Sequence, residues 1–508
     1  MTVSPPVAGF ISPYPLTTSR VASIRMPVNL PQSPAKNFLA APVTHSPARA
    51  IPTELLQEIF GHCRVGWEDR LDRRRGSLRL HAEPWNISQV SRRWRNVVLG
   101  TPELWSSVRV CYSDFEEQPH DAVLYRLELQ LQRSKSQTLS VSVVTSKHCE
   151  LPETVHFRIR SQLVAYASQW AELYLLDETH TLHPLFHPLL PEVYRMSALN
   201  HVDLQTAAEE SIKAFAFEDV TNLRHVDVQF VNHCQFNGTF RISIPWGRVA
   251  TCALRAVPAF GASQLLGQLQ NVEQLFLSTA DLALLPMPSG PQRFQLLHLH
   301  TLTLDLHCRT ANWFILRLRA PSLRVFKAPA STALLPSIST FLAFSSCALT
   351  SIHITDIRAD HDLTRFAPIL RLCRSSLLKL HLTMLSQDVD VRNLAQVIPQ
   401  DDFLMEGQQH VVRRRVSWLV ISANVRYGSR VKGEMWADMV EGFSRIIGSR
   451  GQDLLRMNLS IEGFDGWSED VLQRMRTSIG SERLELRVAG RMAEDMANPM
   501  VMARQLIP

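Results

Sequence analysis

One short phrase, returning at near-constant intervals, restricts what this chain can fold into more than any other feature. It reads apolar, two others, apolar, one other, apolar. It stands at Leu199, Val202, Leu204; Leu223, Val226, Val228; Val249, Cys252, Leu254; Val272, Leu275, Leu277; Leu299, Leu302, Leu304; Leu323, Phe326, Ala328; Leu349, Ile352, Ile354; and Leu377, Leu380, Leu382. The starts lie 24, 26, 23, 27, 24, 26 and 28 residues apart. The alternation that closes each phrase is the signature of a strand, whose successive side chains face opposite ways. Each interval therefore holds one short strand and a segment that returns the chain to the start of the next. A single such unit cannot cover its own apolar face, so neighbouring units must stack to bury it.

Spacing of about 20 to 29 residues around this core is the mark of leucine-rich repeats. It predicts an α/β fold: a solenoid of parallel strands with returning helices or loops over residues 111–450. An earlier unit at Trp170, Leu173 and Leu175 fits, and later ones at Val416, Leu419, Ile421 and at Leu454, Met457, Leu459 are more widely spaced. The asparagine usual after the strand is missing from most units, so the array is degenerate and an ordinary mixed α/β domain stays as the alternative. Gln387 to Arg415 reads as an inserted loop. Residues 451–508, with Trp467, Val471, Leu472 and Met475 at helical spacing, read as the end or cap of the array.

Alternation also assigns a surface. If the phrase residues point inward, those flanking the middle one point the other way. That places His201, Asp203, His225, Asp227, Arg255, Phe276, Asp305, Lys327, His353, Lys379 and His381 on one exposed strip. A mixed polar strip bearing histidines suits recognition of a protein surface, while a simple solvated strand face is the plain alternative for each residue.

Residues 51–110 have a different pattern. Leu55, Leu56, Ile59, Phe60 and Cys63 recur at helical spacing behind Pro52, a residue suited to a helix start. Farther on, Ile87, Val90, Trp94, Val97 and Val98 form a second helical stripe, with Arg92, Arg93 and Arg95 opposite, ending at Gly100. Thr101, Pro102 and Glu103 follow in the order that opens a helix and leads to Leu104 and Trp105. Between the two helices, residues 64–84 are a charged insertion.

Proline, Glu-Leu-Leu, Glu-Ile-Phe, then Gln-Val-Ser-Arg-Arg-Trp-Arg and Thr-Pro-Glu-Leu-Trp together resemble an F-box, in the form common among fungal F-box proteins. Ser91 stands where a cysteine often precedes the basic pair. The resemblance implies a short three-helix unit that docks on the Skp adaptor, and through it on cullin, in an SCF-type ubiquitin ligase. It implies contact or support roles for Pro52, Leu55, Leu56, Ile59, Val90 and Trp94. The function it implies is substrate recognition: the chain is no enzyme itself, and the repeats hold a protein target. The alternative is a non-catalytic scaffold that assembles no working ligase.

Composition narrows the remaining classes. The first 50 residues contain nine prolines, and no acidic residue precedes Glu54, a composition that predicts disorder. A transit peptide is disfavoured, since Pro5, Pro6, Pro13, Pro15 and Pro27 would break its amphipathic helix. Eight cysteines occur singly without a CxxC pair, which predicts reduced thiols in cytoplasm or nucleus. Neither the His-Cys pairs at 62–63, 148–149, 233–234 and 307–308 nor His298 with His300 has metal-ligand spacing beyond two residues, so no metal is expected. A net charge of +6 over 508 residues does not compel a nucleic-acid partner, and no apolar run is long enough for a membrane span. The basic runs Arg73–Arg75 and Arg413–Arg415 read as solvated faces. Phosphate loops, nucleophile elbows and zinc-protease helices are missing from the sequence, and no cofactor is expected.

Overall fold

The computed structural model describes residues 51–63, 76–145, 151–177, 196–206, 217, 220–230, 244–256, 259–278, 293–305, 308–330, 334–357, 366–373, 376–384, 418–424, 456–462 and 484–489. The expectations for residues 1–50, the Arg73–Arg75 and Arg413–Arg415 runs, the Gln387–Arg415 loop and the Trp467–Met475 helix lie outside them. Residues from Thr53 onward belong to one compact unit.

The strands, in chain order, are β1 (Ser107–Cys111), β2 (Leu139–Val144), β3 (Trp170–Asp177), β4 (His201–Thr206), β5 (His225–Phe230), β6 (Thr251–Arg255), β7 (Gln274–Ser278), β8 (Phe294–Gln295), β9 (Thr301–Asp305), β10 (Leu318–Arg319), β11 (Val325–Pro329), β12 (Ser351–Ile357), β13 (Lys379–Met384), β14 (Trp418–Asn424), β15 (Arg456–Glu462) and β16 (Leu484–Ala489). All except β8 and β10, which pair with each other, form one 14-stranded parallel sheet in sequence order. The chain is thus α/β, and every strand of the sheet hydrogen-bonds the next one along the sequence. Strand register is strict through the middle of the sheet: Asp203 faces Asp227, Phe276 faces Thr303, and Lys327, His353 and His381 stand side by side.

Every apolar residue of the eight phrases is buried, as are Trp170, Leu173 and Leu175. They join one continuous core. What covers this face is the set of returning helices, here Glu153–Val164, Ala259–Leu266, Cys308–Ile315, Leu334–Ser345 and Ala367–Leu372. Leu334–Ser345 shows why they form: Leu334, Leu335, Ile338, Phe341 and Leu342 fall on one side at helical spacing and are buried, and the Phe341 ring lies 6.2 Å from that of Phe326.

The sheet begins earlier and ends later than the phrase count predicts. Trp105, Val108 and Val110 repeat the phrase and are all buried, so β1 crosses the boundary expected between residues 110 and 111. At the other end β15 carries the widely spaced unit at Met457 and Leu459, and β16, which no phrase marks, extends the sheet farther into the stretch expected to cap it. Longer segments precede β14 and β15, whereas β16 follows β15 at the ordinary interval.

The N-terminal helices are α1 (Thr53–Cys63), α2 (Trp85–Val90) and α3 (Arg92–Gly100), followed by a 3-10 turn at Pro102–Trp105. The single helix expected across Ile87–Gly100 is in fact two. Ser91 is extended, with φ −156° and ψ 166°, and its hydroxyl accepts from the Trp94 amide at 3.1 Å. It is an N-cap that stops one helix and starts the next. Thr101 does not cap forward as expected. Its hydroxyl donates back to the Val97 carbonyl at 2.8 Å and accepts from Gln57 Nε2 at 3.2 Å, tying α3 to α1.

The last part of the expected insertion is built into the body. The Ser77 amide donates to the Arg109 carbonyl, the Arg109 amide donates to Ser77 Oγ, and Leu78 is fully buried in the sheet core. This pairing covers the outer edge of β1, which would otherwise expose unpaired backbone groups. Gly76 is required by contact: a Cβ there would stand 1.7 Å from Oδ2 of the buried Asp114, whose other oxygen accepts from Arg79 Nε at 2.5 Å. Among the described residues no helix is long and apolar enough to cross a membrane.

Candidate functional site

The six residues expected at an adaptor interface divide by burial. On α1, Leu56 and Phe60 point inward and are 1% exposed, whereas Leu55 and Ile59, each one position earlier, are 49% and 45% exposed. The split has a local cause: the Phe60 ring packs on that of Trp94 at 4.9 Å, which turns the Leu56–Phe60 side toward α3. Trp94 is half-buried by this contact, and Pro52 is exposed just before the helix. Val90, at the end of α2, is 62% exposed because the extended Ser91 takes it out of the stripe formed by Val97 and Val98. Leu56 is therefore internal support, while Leu55, Ile59 and Val90 are apolar side chains left in water. Beneath this layer Trp105 is fully buried, its indole N–H donating to Val98 O at 2.9 Å, with Trp85 edge-on at 5.0 Å and the Arg133 guanidinium over its ring at 4.4 Å.

A cavity of about 460 Å³ lies between these helices and β1, with Phe60, Ser77, Arg79, His81, Asn86 and Arg109 in its wall. The Ser77 hydroxyl donates to Gln130 Oε1 at 3.1 Å and to the Arg109 carbonyl at 3.3 Å.

The residues of the expected strip share one face of the large sheet, alternating with the buried phrase residues on its strands from β4 to β13. Three clusters form on it. Around β3–β5, the Tyr174 ring lies 5.1 Å from His201, and His201 lies 6.0 Å from His225. Asp203, expected to be available to a partner, is only 3% exposed, because Tyr174 and Asp227 on the flanking strands close over it. In the second cluster Arg255 pairs with Asp227, Nε to Oδ2 at 3.0 Å, and lies over the Phe276 ring at 4.4 Å. The pair relieves the repulsion of two aspartates in register.

The third cluster is on β11–β13. The His353 and His381 rings stack at 3.8 Å with an interplanar angle of 3°, and His353 Nε2 is 3.1 Å from Thr383 Oγ1. Burial, then the neighbouring His381, Lys327 and Lys379, push the His353 pKa down to about 3. Burial, then Lys379 and Lys327, push that of His381 down to about 4. Both imidazoles are neutral at neutral pH, the state in which two rings can lie in contact. Asp305 is exposed at the end of β9, on the strand next to β11 and two residues past Thr303, the register partner of Lys327. Glu172 and Tyr174 also belong to the face, and Ser140 Oγ donates to Glu172 Oε2 at 2.5 Å. The unit at Trp170, Leu173 and Leu175 carried their signal by the same alternation.

Among the described residues no group of three or more His, Cys, Asp or Glu side chains could hold a metal ion. The fold and these faces define an α/β protein with one long parallel sheet, a cluster of short helices at its start and two candidate surfaces for other macromolecules. No protein-family model matches the chain, and no curated protein matches it.

Proposed function

We propose that this chain is the substrate-recognition subunit of an SCF-type cullin-RING ubiquitin ligase, with α1–α3 as an F-box that binds the Skp adaptor and the parallel sheet as the spine of a degenerate leucine-rich-repeat solenoid that holds a protein target. The observation that carries the reading is the outward placement of Leu55, Ile59 and Val90, which leaves the helical unit with apolar surface its own fold does not use. A second chain that covers such side chains gains about 25 cal/mol for each Å² of apolar area removed from water. The sequence-ordered sheet and its returning helices supply the solenoid part of the reading. The ligase role follows as one of position: adaptor at one end, target along the sheet, and a raised local concentration of the target at the ligase.

The test separates surface from support. Leu55→Ala, Ile59→Ala and Val90→Ala together remove the outward side chains, and the full chain should keep its folded spectrum while co-precipitation with the adaptor and cullin falls at least tenfold. Trp94 is left intact, because it supports Phe60 and its loss would unfold as well as unbind. Undiminished adaptor capture by the triple variant refutes the assigned surface. Capture without ubiquitin transfer to any bound protein in a reconstituted ligase supports the scaffold reading instead.

A further inference from the structure

Along the register row through Asp203 and Lys327, the open face of the sheet runs from acidic to basic. Toward β3–β5 it carries Glu172, Asp203 and Asp227, with Arg255 already committed to Asp227. The middle row is uncharged, formed by Ala253, Phe276 and Thr303. On β11–β13 Lys327 and Lys379 flank the stacked His353 and His381, and no carboxylate among the described residues pairs with Lys327. The nearest described acid along the face is Asp305, exposed at the end of the strand beside β11. Beyond β13, Val420 takes the next place in the row. Ser351, Thr355 and Thr383 complete the surroundings with hydroxyls.

We infer that the β11–β13 end of this face is an anion-binding site for an acidic, Asp/Glu-rich segment of a protein target, with Lys327 and Lys379 supplying charge and His353 and His381 supplying imidazole hydrogen-bonding groups beside them. The geometry carries the inference. Lys327 beside His353 on one side of the stack, and Lys379 two residues before His381 on the other, concentrate positive charge over a patch three strands wide, about 10 Å from β11 to β13. Half-burial lowers the local dielectric response and strengthens the pull on an incoming carboxylate. The stack is stable while both rings are neutral, and a bound carboxylate stabilises the protonated form of either ring. A bound carboxylate that lifts either pKa from about 3 or 4 into the range above pH 5 makes binding take up protons, and by linkage affinity then rises as pH falls. The inference rests on reading this face as a target-binding surface, and is independent of the adaptor contact.

The experiment uses the full chain and a labelled Glu-rich peptide, with matched Gln and phosphoserine peptides, followed by fluorescence anisotropy. The Glu peptide should bind and the Gln peptide should not. Lys327→Gln with Lys379→Gln should weaken binding roughly tenfold or more, and Lys→Arg at both positions should restore most of it. Affinity for the Glu peptide should rise from pH 7 toward about pH 5, where glutamate is still largely ionised. His353→Gln with His381→Gln should remove that slope. Equal binding of the Glu and Gln peptides overturns the proposal, as does binding indifferent to the lysine pair in a variant with an unchanged folded spectrum. Binding of the phosphoserine peptide alone overturns the acidic-segment assignment in favour of phosphate. Adaptor capture with no Glu-peptide binding overturns this inference while leaving the ligase reading standing, and the reverse result does the opposite.

Discussion

The helical unit at Thr53–Trp105 and the parallel sheet treat apolar side chains in opposite ways. The sheet spends all of its phrase residues on its own core, from Leu199 to Leu382. The helices bury Leu56, Phe60, Val97 and Val98 and leave Leu55, Ile59 and Val90 exposed. Stacked strands form an array in which each phrase residue has neighbours on two sides, so stability accumulates locally and none of them is left over; the exposed apolar side chains of this region, such as Phe157, Leu297 and Phe344, lie outside the phrases. Three short helices have too little interior to use every apolar position they carry. The difference teaches where to look for partners: in the helical unit among its apolar residues, and on the sheet among its polar ones.

The sharpest way to break this comparison is at the core of the sheet. Phe326 is fully buried against Phe341, and Phe326→Ala should cost about 3–5 kcal/mol, read by denaturant unfolding of the full chain. A cost near that of a surface change would mean that the array does not bury its phrases as described.

A smaller effect is expected from pH. His353 and His381 have folded pKa values depressed to about 3 and about 4, below the ordinary value of 6.5, so between these limits the unfolded chain binds more protons than the folded one. Stability should rise with pH from about 4 to about 6.5 and be lost as pH falls through that window. Both rings are half-exposed, and solvent screening trims the contribution to about 1–2 kcal/mol. Thermal melts across this range should lose the slope in the His353→Gln, His381→Gln double variant. An unchanged slope would show that other groups set it.

Ser91→Ala removes the cap between α2 and α3 and should cost about 1 kcal/mol by the same unfolding measurement. A negligible cost would favour a continuous helix through residue 91. Least of all, Leu55→Ala with Ile59→Ala should shift stability by no more than about 0.5 kcal/mol each. A large loss there would show that these side chains are internal after all and would collapse the contrast between the two regions.

Much of the sheet was legible because its physics is local. Burying one face of a strand demands alternation, and stacking demands a repeat, so the eight phrases mark the eight strands of the large sheet from β4 to β13 without any knowledge of their neighbours. The same rule overlooked β2, because Thr138 stands where its first apolar residue would be, although Leu139, Val141 and Val143 are buried. In the helical unit the stripe Ile87–Val98 looked continuous. One extended residue resets helical phase, and periodicity alone cannot register a break that leaves Trp94, Val97 and Val98 in step.

By itself, the sequence determined that short strands would recur, which of their side chains would face the core and which residue types would line the other face. Only the tertiary structure decided which half of the α1 stripe turned inward, that Asp203 would be closed over by Tyr174 and Asp227, and that Lys327, His353, His381 and Lys379 would meet. The physical reason is separation. Which way a side chain points along a strand follows from the backbone within two residues, whereas what it meets there depends on chains that arrive from tens of residues away.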